Sequence, residues 1–312
     1  MMTHVATFLP NSTPILSGHE TFALRSHWLK KAYDLLGLYP DLFYRDDAFV
    51  LLGVGKNMAQ SIRHWGRVCG LFSRSTDGTS HTISPLGHTL LSDEGWDPFL
   101  VTPAGRWLLH WQLAAYPGGA FTWFYTFNLL RGGELTVDQL AEKLIDTAIR
   151  QGWRVPSHAT IRRDITCMLA CYTRPDAKIL ETATEDALAC PLIALNLVHA
   201  LPGDRRFYLA SGRHPDLPNA LVAYAILLQI QAIGRDTIAF NDLVYAPGSP
   251  GRVFRLHEDG LLERLMHLQE LTSGRAYYTD QAGIRQVAWP DHDDPTMAEA
   301  LLHQAFHDEI HL

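Results

Sequence analysis

The sequence predicts a mainly α-helical protein made of multiple winged-helix-like units, each a helix-turn-helix with a small β-wing behind it. Three observations carry this reading. Apolar side chains recur at three- and four-residue intervals along several segments, as in helices with one buried face. The clearest of these segments runs straight into a short strand, a polar Gly-containing tip and a return strand. Two weaker versions of the same order follow later in the chain.

Residues 1–16 have no period and two prolines, and read as an arm. Over residues 23–36, Leu24, Trp28, Leu29, Ala32, Leu35 and Leu36 share one arc of a helix. Arg25 falls inside that arc, where a guanidinium needs a partner; Glu20, Asp46 and Asp47 are the acids expected to pair with it. The helix expected over residues 56–69 sets Met58, Ile62, Trp65 and Cys69 on a narrow apolar stripe. Lys56, Asn57, Gln60, Arg63, His64 and Arg67 take the opposite side. Gly70-Leu71-Phe72 then opens a strand, residues 75–79 turn the chain, and His81-Thr82-Ile83 returns.

The second unit starts where Thr136 and Gln139 stand at capping-box spacing. Ser157 caps the helix after it, which turns Ile161, Ile165, Met168 and Tyr172 inward and Arg162 and Arg163 outward. In the third unit a helix carries Val253, Leu256, Leu261 and Leu265, followed by a hairpin with Tyr277 and Tyr278. Gly- and Pro-rich joints near 116–120 and 201–218 divide the chain into 1–116, 117–205 and 206–312.

A length of 312 residues, 47% of them hydrophobic, can fill more than one core. No apolar run is long enough for a membrane span and no basic, then apolar leader opens the chain, so a soluble cytoplasmic protein is expected. Cys69, Cys167, Cys171 and Cys190 make no CxxC pair and read as buried free thiols. The net charge of −7 is local: residues 257–312 hold three basic and eleven acidic side chains, whereas residues 48–76 hold no acid at all. Lys56, Arg63, Arg67 and Arg74 fall in that acid-free run, and binding to a polyanion depends on the patch rather than the total.

The 56–67 face is therefore the strongest functional signal. Lys and Arg neutralise phosphates, and Asn, Gln and Arg can read base edges from a helix in a groove. An ordinary solvated face is the competing reading, but such faces usually mix signs. Arg162 and Arg163 offer a second basic face, with Arg25, Lys30 and Lys31 in support. His19, Glu20, Asp46 and Asp47 are the candidate catalytic groups, and Glu20, Asp46 and Asp47 the candidate ligands of a divalent Mg or Mn ion. Against this, Ser17 and Glu20 match a capping box, and Asp46 a helix N-cap. Gly53-Val54-Gly55-Lys56-Asn57 is not a nucleotide loop, because Val50 and Asn57 stand where a Walker motif needs Gly and Ser or Thr. His303, His307 and His311 recur every four residues and read as a solvated terminal helix rather than a metal face.

Two strings add a resemblance. Ser17-Gly18-His19-Glu20-Thr21-Phe22-Ala23-Leu24-Arg25 with Trp28-Leu29-Lys30-Lys31 is the first; Asp46-Asp47, Leu51 through Met58 and Ser61-Ile62-Arg63 make the second. Together they resemble the SspB family of DNA-nicking components in bacterial DNA phosphorothioation clusters, a family otherwise known as a domain of unknown function. The resemblance implies strand nicking that serves sulfur insertion and anti-phage defence. It implies a cysteine desulfurase, an ATPase and an ATP-pyrophosphatase-like sulfur-transfer protein as partners. No PD-(D/E)xK or HNH signature is visible, so a non-catalytic DNA-binding or scaffold subunit, or a transcription regulator, stays open. A homo-oligomer stays open too.

Overall fold

The computed structural model describes residue 14 and residues 16–174, 190–201 and 206–307. The arm before residue 14, and His311, lie outside them. Helices dominate. The first stretch holds α1 (Ser26–Leu38), a 3-10 turn (Leu42–Tyr44), α2 (Ala48–Leu51), α3 (Lys56–Val68), the hairpin β1 (Phe72–Arg74) and β2 (His81–Ile83), α4 (Pro85–Leu91) and α5 (Pro103–Ala114). Next come α6 (Phe121–Phe124), continued as a π-turn over Tyr125–Leu129, then β3 (Leu135–Thr136), α7 (Val137–Arg150), α8 (His158–Tyr172), β4 (Val198–Ala200) and β5 (Arg206–Leu209). The last stretch holds α9 (Asn219–Ile233), β6 (Thr237–Ala239), α10 (Phe240–Tyr245), α11 (Pro250–Val253), α12 (Glu258–Met266), α13 (Leu268–Leu271), β7 (Tyr277–Gln281), β8 (Ile284–Ala288) and α14 (Met297–His307).

Among the described residues the strands form three small antiparallel sheets. β1 pairs with β2 in the register Phe72↔Ile83 and Arg74↔His81. The other two sheets repeat one topology: a strand precedes the helices and pairs with the second strand of the hairpin after them, giving the orders β3-β5-β4 and β6-β8-β7. The capping box at Thr136 is complete, since Gln139 N–H donates to Thr136 Oγ1 and Thr136 N–H to Gln139 Oε1. Ser157 accepts from Thr160 N–H to open α8.

One contiguous apolar cluster runs from Leu16 to Ala305 and draws on all three of the long described stretches. Trp28, Trp65, Trp107, Trp111, Trp123 and Trp289 are fully buried in it. Polar pins cross the same core. His110 on α5 donates from Nε2 to the Val253 carbonyl, so its Nδ1 accepts from the Tyr172 hydroxyl; both bonds measure 2.7 Å. Burial holds that imidazole down to about 4.

Three local expectations are overturned. The helix read through Val253 to Leu265 is broken, because Arg255 turns left-handed (φ 54°) between α11 and α12. Ser17 and Glu20 do not cap α1, which starts at Ser26 with Arg25 as its N-cap residue. Asp47, not Asp46, stands at the N-cap of α2, and its side chain caps nothing.

Candidate nucleic-acid interface

The sequence of α3 dictates how the helix sits. Ala59, Ile62, Trp65 and Gly66 are buried, with Cys69 just past its end, at the three- and four-residue spacing that turns one stripe to the core. Gly66 lets β1 close on the helix: a Cβ there would stand 2.0 Å from the Phe72 ring. The remaining side faces outward. Lys56, Asn57 and Arg67 are exposed, while Gln60, Arg63 and His64 are half-buried, and the helix carries no acid.

Arg74 from β1 extends this basic surface. Its guanidinium donates to the Tyr44 hydroxyl at 2.9 Å and to the Gly78 carbonyl. Burial pulls the Arg63 guanidinium below its usual value, and the like charges of Arg67 and Arg74 pull the same way. His81, beneath these arginines, is buried with neither ring nitrogen bonded, and burial first, then the three arginines, push it down to about 4. Burial brings His64 down to about 3. The imidazoles are therefore neutral at physiological pH, and the positive potential comes from the arginines and Lys56. A helix side that carries like charges and no acid of its own favours an anionic partner.

A strained loop packs against the inner side of α3. Ser17, Gly18, Glu20 and Thr21 all have positive φ, at 137°, 110°, 47° and 68°. Three of these are not glycine, and such backbone persists only where its surroundings hold it. Trp65 Nε1 and Ser61 Oγ donate to the Phe22 carbonyl, and a Cβ on Gly18 would stand 2.7 Å from His64 Nδ1. The main anchor is His19, buried at 3% exposure. Thr21 N–H donates to its Nδ1 at 3.0 Å, so Nε2 carries the proton and donates to Asp164 Oδ1 at 2.7 Å. The Thr122 hydroxyl donates to the other oxygen of Asp164. Both ring nitrogens of His19 are thus in use, and the geometry makes it a pin for the loop rather than a free base.

Glu20 projects from that loop into water, close enough for its charge to act on Arg63. Asp46 is exposed, and Asp47 is clamped by Arg45, whose Nε and Nη2 reach its two oxygens at 2.9 and 3.0 Å. That clamp holds the Asp47 carboxyl below its ordinary range. Among the described residues no group of three or more His, Cys, Asp or Glu side chains is arranged to hold a metal ion. Glu20, Asp46 and Asp47 therefore do not fit a divalent ion as a preassembled set.

The supporting cations divide. Lys30 is buried, bonded to Asp34 at 2.5 Å and Asp93 at 2.7 Å, and has no charge left to offer. Burial opposes its charged form, yet the two carboxylates outweigh it and leave the ammonium raised. Arg25 meets no carboxylate among the described residues; its guanidinium lies 5.0 Å over the Trp28 ring instead, which corrects the pairing expected with Glu20, Asp46 or Asp47. Arg162 is exposed but tied to Asp138 at 2.7 Å across α7 and α8, while Arg163 beside it faces water. Sequence reasoning missed Asp164 and Thr122, and it left Tyr44 and Arg74 out of the site although Arg74 stood in the acid-free run.

Two clefts flank α3. One of about 370 Å³ lies by its C-terminal half, where His64, Arg67, Arg74, Gln112 and Tyr116 meet. A larger one, about 540 Å³, opens between its first turn, α2 and α1.

The sequence pattern of the family described as a protein of unknown function, DUF4007, matches residues 16–306. The chain belongs to the DUF4007 family. Two solved structures share its fold along nearly the whole length. An SspB crystal structure is 28% identical, with a TM-score of 0.83 over 96% of this chain and 91% of that one. A magnesium ion-bound SspB crystal structure is 26% identical, with a TM-score of 0.81 over 96% and 98%. This DUF4007 chain is thus SspB-like. No curated protein matches it. No helix among its described residues is long and apolar enough to cross a membrane.

Proposed function

We propose that this chain binds duplex DNA through α3 and nicks one strand in the service of phosphorothioate modification and anti-phage defence. The observation that carries the reading is the acid-free outer side of α3. Lys56, Asn57, Gln60, Arg63, His64 and Arg67 stand there with Arg74 alongside, on a helix followed at once by a hairpin. In this reading the 1–116, 117–205 and 206–312 segments are three winged-helix units, with β5 (Arg206–Leu209) carried over the second boundary to complete the second unit's sheet; the repeated sheet order of the second and third supports it. α3 docks in the major groove, the β1–β2 wing lies along the backbone, and Arg162 and Arg163 add a second contact. The likeness to SspB structures supports a place in a phosphorothioation system, with a cysteine desulfurase, an ATPase and an ATP-pyrophosphatase-like protein as partners.

For nicking, Glu20, Asp46 and Asp47 are the acids beside the basic surface, and His19 fixes the loop that presents Glu20. Arg63 and Arg67 would stabilise the charge that develops on the attacked phosphate. A second reading, a DNA-binding scaffold without catalysis, is favoured by the absence of a preassembled metal group among the described residues. Incubation with supercoiled plasmid, in Mg²⁺, Mn²⁺ or chelator, separates the two. Relaxed circles in at least one metal arm support nicking; retardation of the plasmid without relaxation supports the scaffold; neither relaxation nor retardation overturns both.

A further inference from the structure

We propose that the cleft between α1 and the α2–α3 turn seats one unpaired deoxynucleotide, with its phosphate on Arg25 and Lys31 and its base against Phe49 and Met58. The inference deepens the DNA reading above and rests on it for its biological meaning, but the cleft can be tested by itself. At about 540 Å³ the cleft lies within the range of small-ligand sites. Its two sides differ in chemistry. α1 contributes Arg25 and Lys31, and neither meets a carboxylate among the described residues, whereas Lys30 on the same helix is neutralised by two. The Trp28 ring lies beneath the Arg25 guanidinium, 5.0 Å from it, and attracts it.

The opposite side is apolar. Phe49 and Val50 are left 36% and 65% exposed on the one-turn helix α2, and Val54 and Met58 continue the wall. A duplex phosphate would need the cations but not that wall. An apolar ligand would need the wall but not two unpaired cations. A flat base with one phosphate uses both, and stacking of this kind tolerates any base. Two cations suit a single phosphate rather than a triphosphate. The cleft also opens at the first turn of α3, beside exposed Lys56 and Asn57, where a strand lying on α3 would pass.

The probes are thymidine 5′-monophosphate, uncharged thymidine and inorganic phosphate, titrated into the full chain by ligand-observed NMR. Thymidine 5′-monophosphate should bind saturably, and each fragment at least about tenfold more weakly, since each keeps one half of the contacts. Lys31→Gln and Phe49→Ala, at a half-buried and an exposed position outside the buried core, should each weaken it about fivefold or more; Arg67→Gln should not. Unsaturable binding, or saturable binding unmoved by both variants, overturns the proposal. Equal binding of free phosphate overturns the base contact. Duplex retardation of the wild type and of Arg67→Gln, run in parallel, tests the parent reading. Failure there with monophosphate binding intact removes the duplex and keeps the cleft.

Discussion

Asp164→Ala is the substitution whose consequence can be worked most fully. The carboxylate is buried at 3% exposure and accepts from His19 Nε2–H and from the Thr122 hydroxyl. Its removal leaves two buried donors without an acceptor, at about 1–3 kcal/mol each, so a loss of about 2–6 kcal/mol is the first expectation. The loop it anchors holds Ser17, Glu20 and Thr21 at positive φ, a cost of roughly 1–3 kcal/mol per residue that is released once the loop lets go. The global loss should therefore fall toward the lower end, while the loop itself opens. Asp164→Asn should recover part of the loss, because a rotated Thr122 hydroxyl can accept from the new amide. Urea unfolding measures the first effect, and amide exchange at Thr21 and Phe22 the second, since those N–H groups donate to His19 Nδ1 and the His19 carbonyl. A loss under about 1 kcal/mol with unchanged exchange at both amides would refute the anchoring argument.

Other substitutions probe the rest of the account. Gly66→Ala should destabilise by about 1–3 kcal/mol in the same urea assay, because the added Cβ meets the Phe72 ring at 2.0 Å and drives the hairpin off α3. His81 and His110 are held down to about 4, below the unfolded value of about 6.5, so the unfolded chain takes up protons first on acidification. Their stabilising effect is complete above about pH 6.5 and is lost as pH falls toward 4, at up to about 1.4 kcal/mol per pH unit for each imidazole. His81→Phe, which removes two unbonded buried nitrogens, should flatten the fall in Tm between pH 7 and 5; an unaltered slope would show that His81 does not titrate as argued. If the plasmid is nicked, Glu20→Gln, Asp46→Asn and Asp47→Asn should between them abolish relaxation while retardation persists. Three active variants would put the chemistry elsewhere.

What the sequence could and could not announce has a physical cause in each case. α3 was legible almost to the residue, and so was the β1–β2 hairpin, because apolar spacing, the Gly-containing tip and the return strand are all local signals. The capping box at Thr136 was legible for the same reason. Ser17 and Glu20 carry an equally good local signal, yet the loop turns left-handed under the grip of Asp164, 145 residues beyond His19. Lys30 read as a supporting cation until Asp93, 63 residues away, took up its charge. The break at Arg255 is a backbone choice that apolar spacing does not record. Of the site, the charges were readable and their partners were not. Whether Lys56, Arg63 and Arg67 face water depends on α3 itself, whereas the use of His19 depends on α6 and α8.

The claim on which everything else rests is that the outer side of α3 meets DNA phosphates. The dependence of duplex affinity on salt concentration, measured for the wild type, Arg63→Gln and Arg67→Gln, tests it most directly. Each variant should bind more weakly at every salt concentration, and the slope of log affinity against log salt should shrink by about 0.9 for each phosphate contact removed. Wild-type slopes reproduced by both variants would mean that the helix does not touch the DNA backbone.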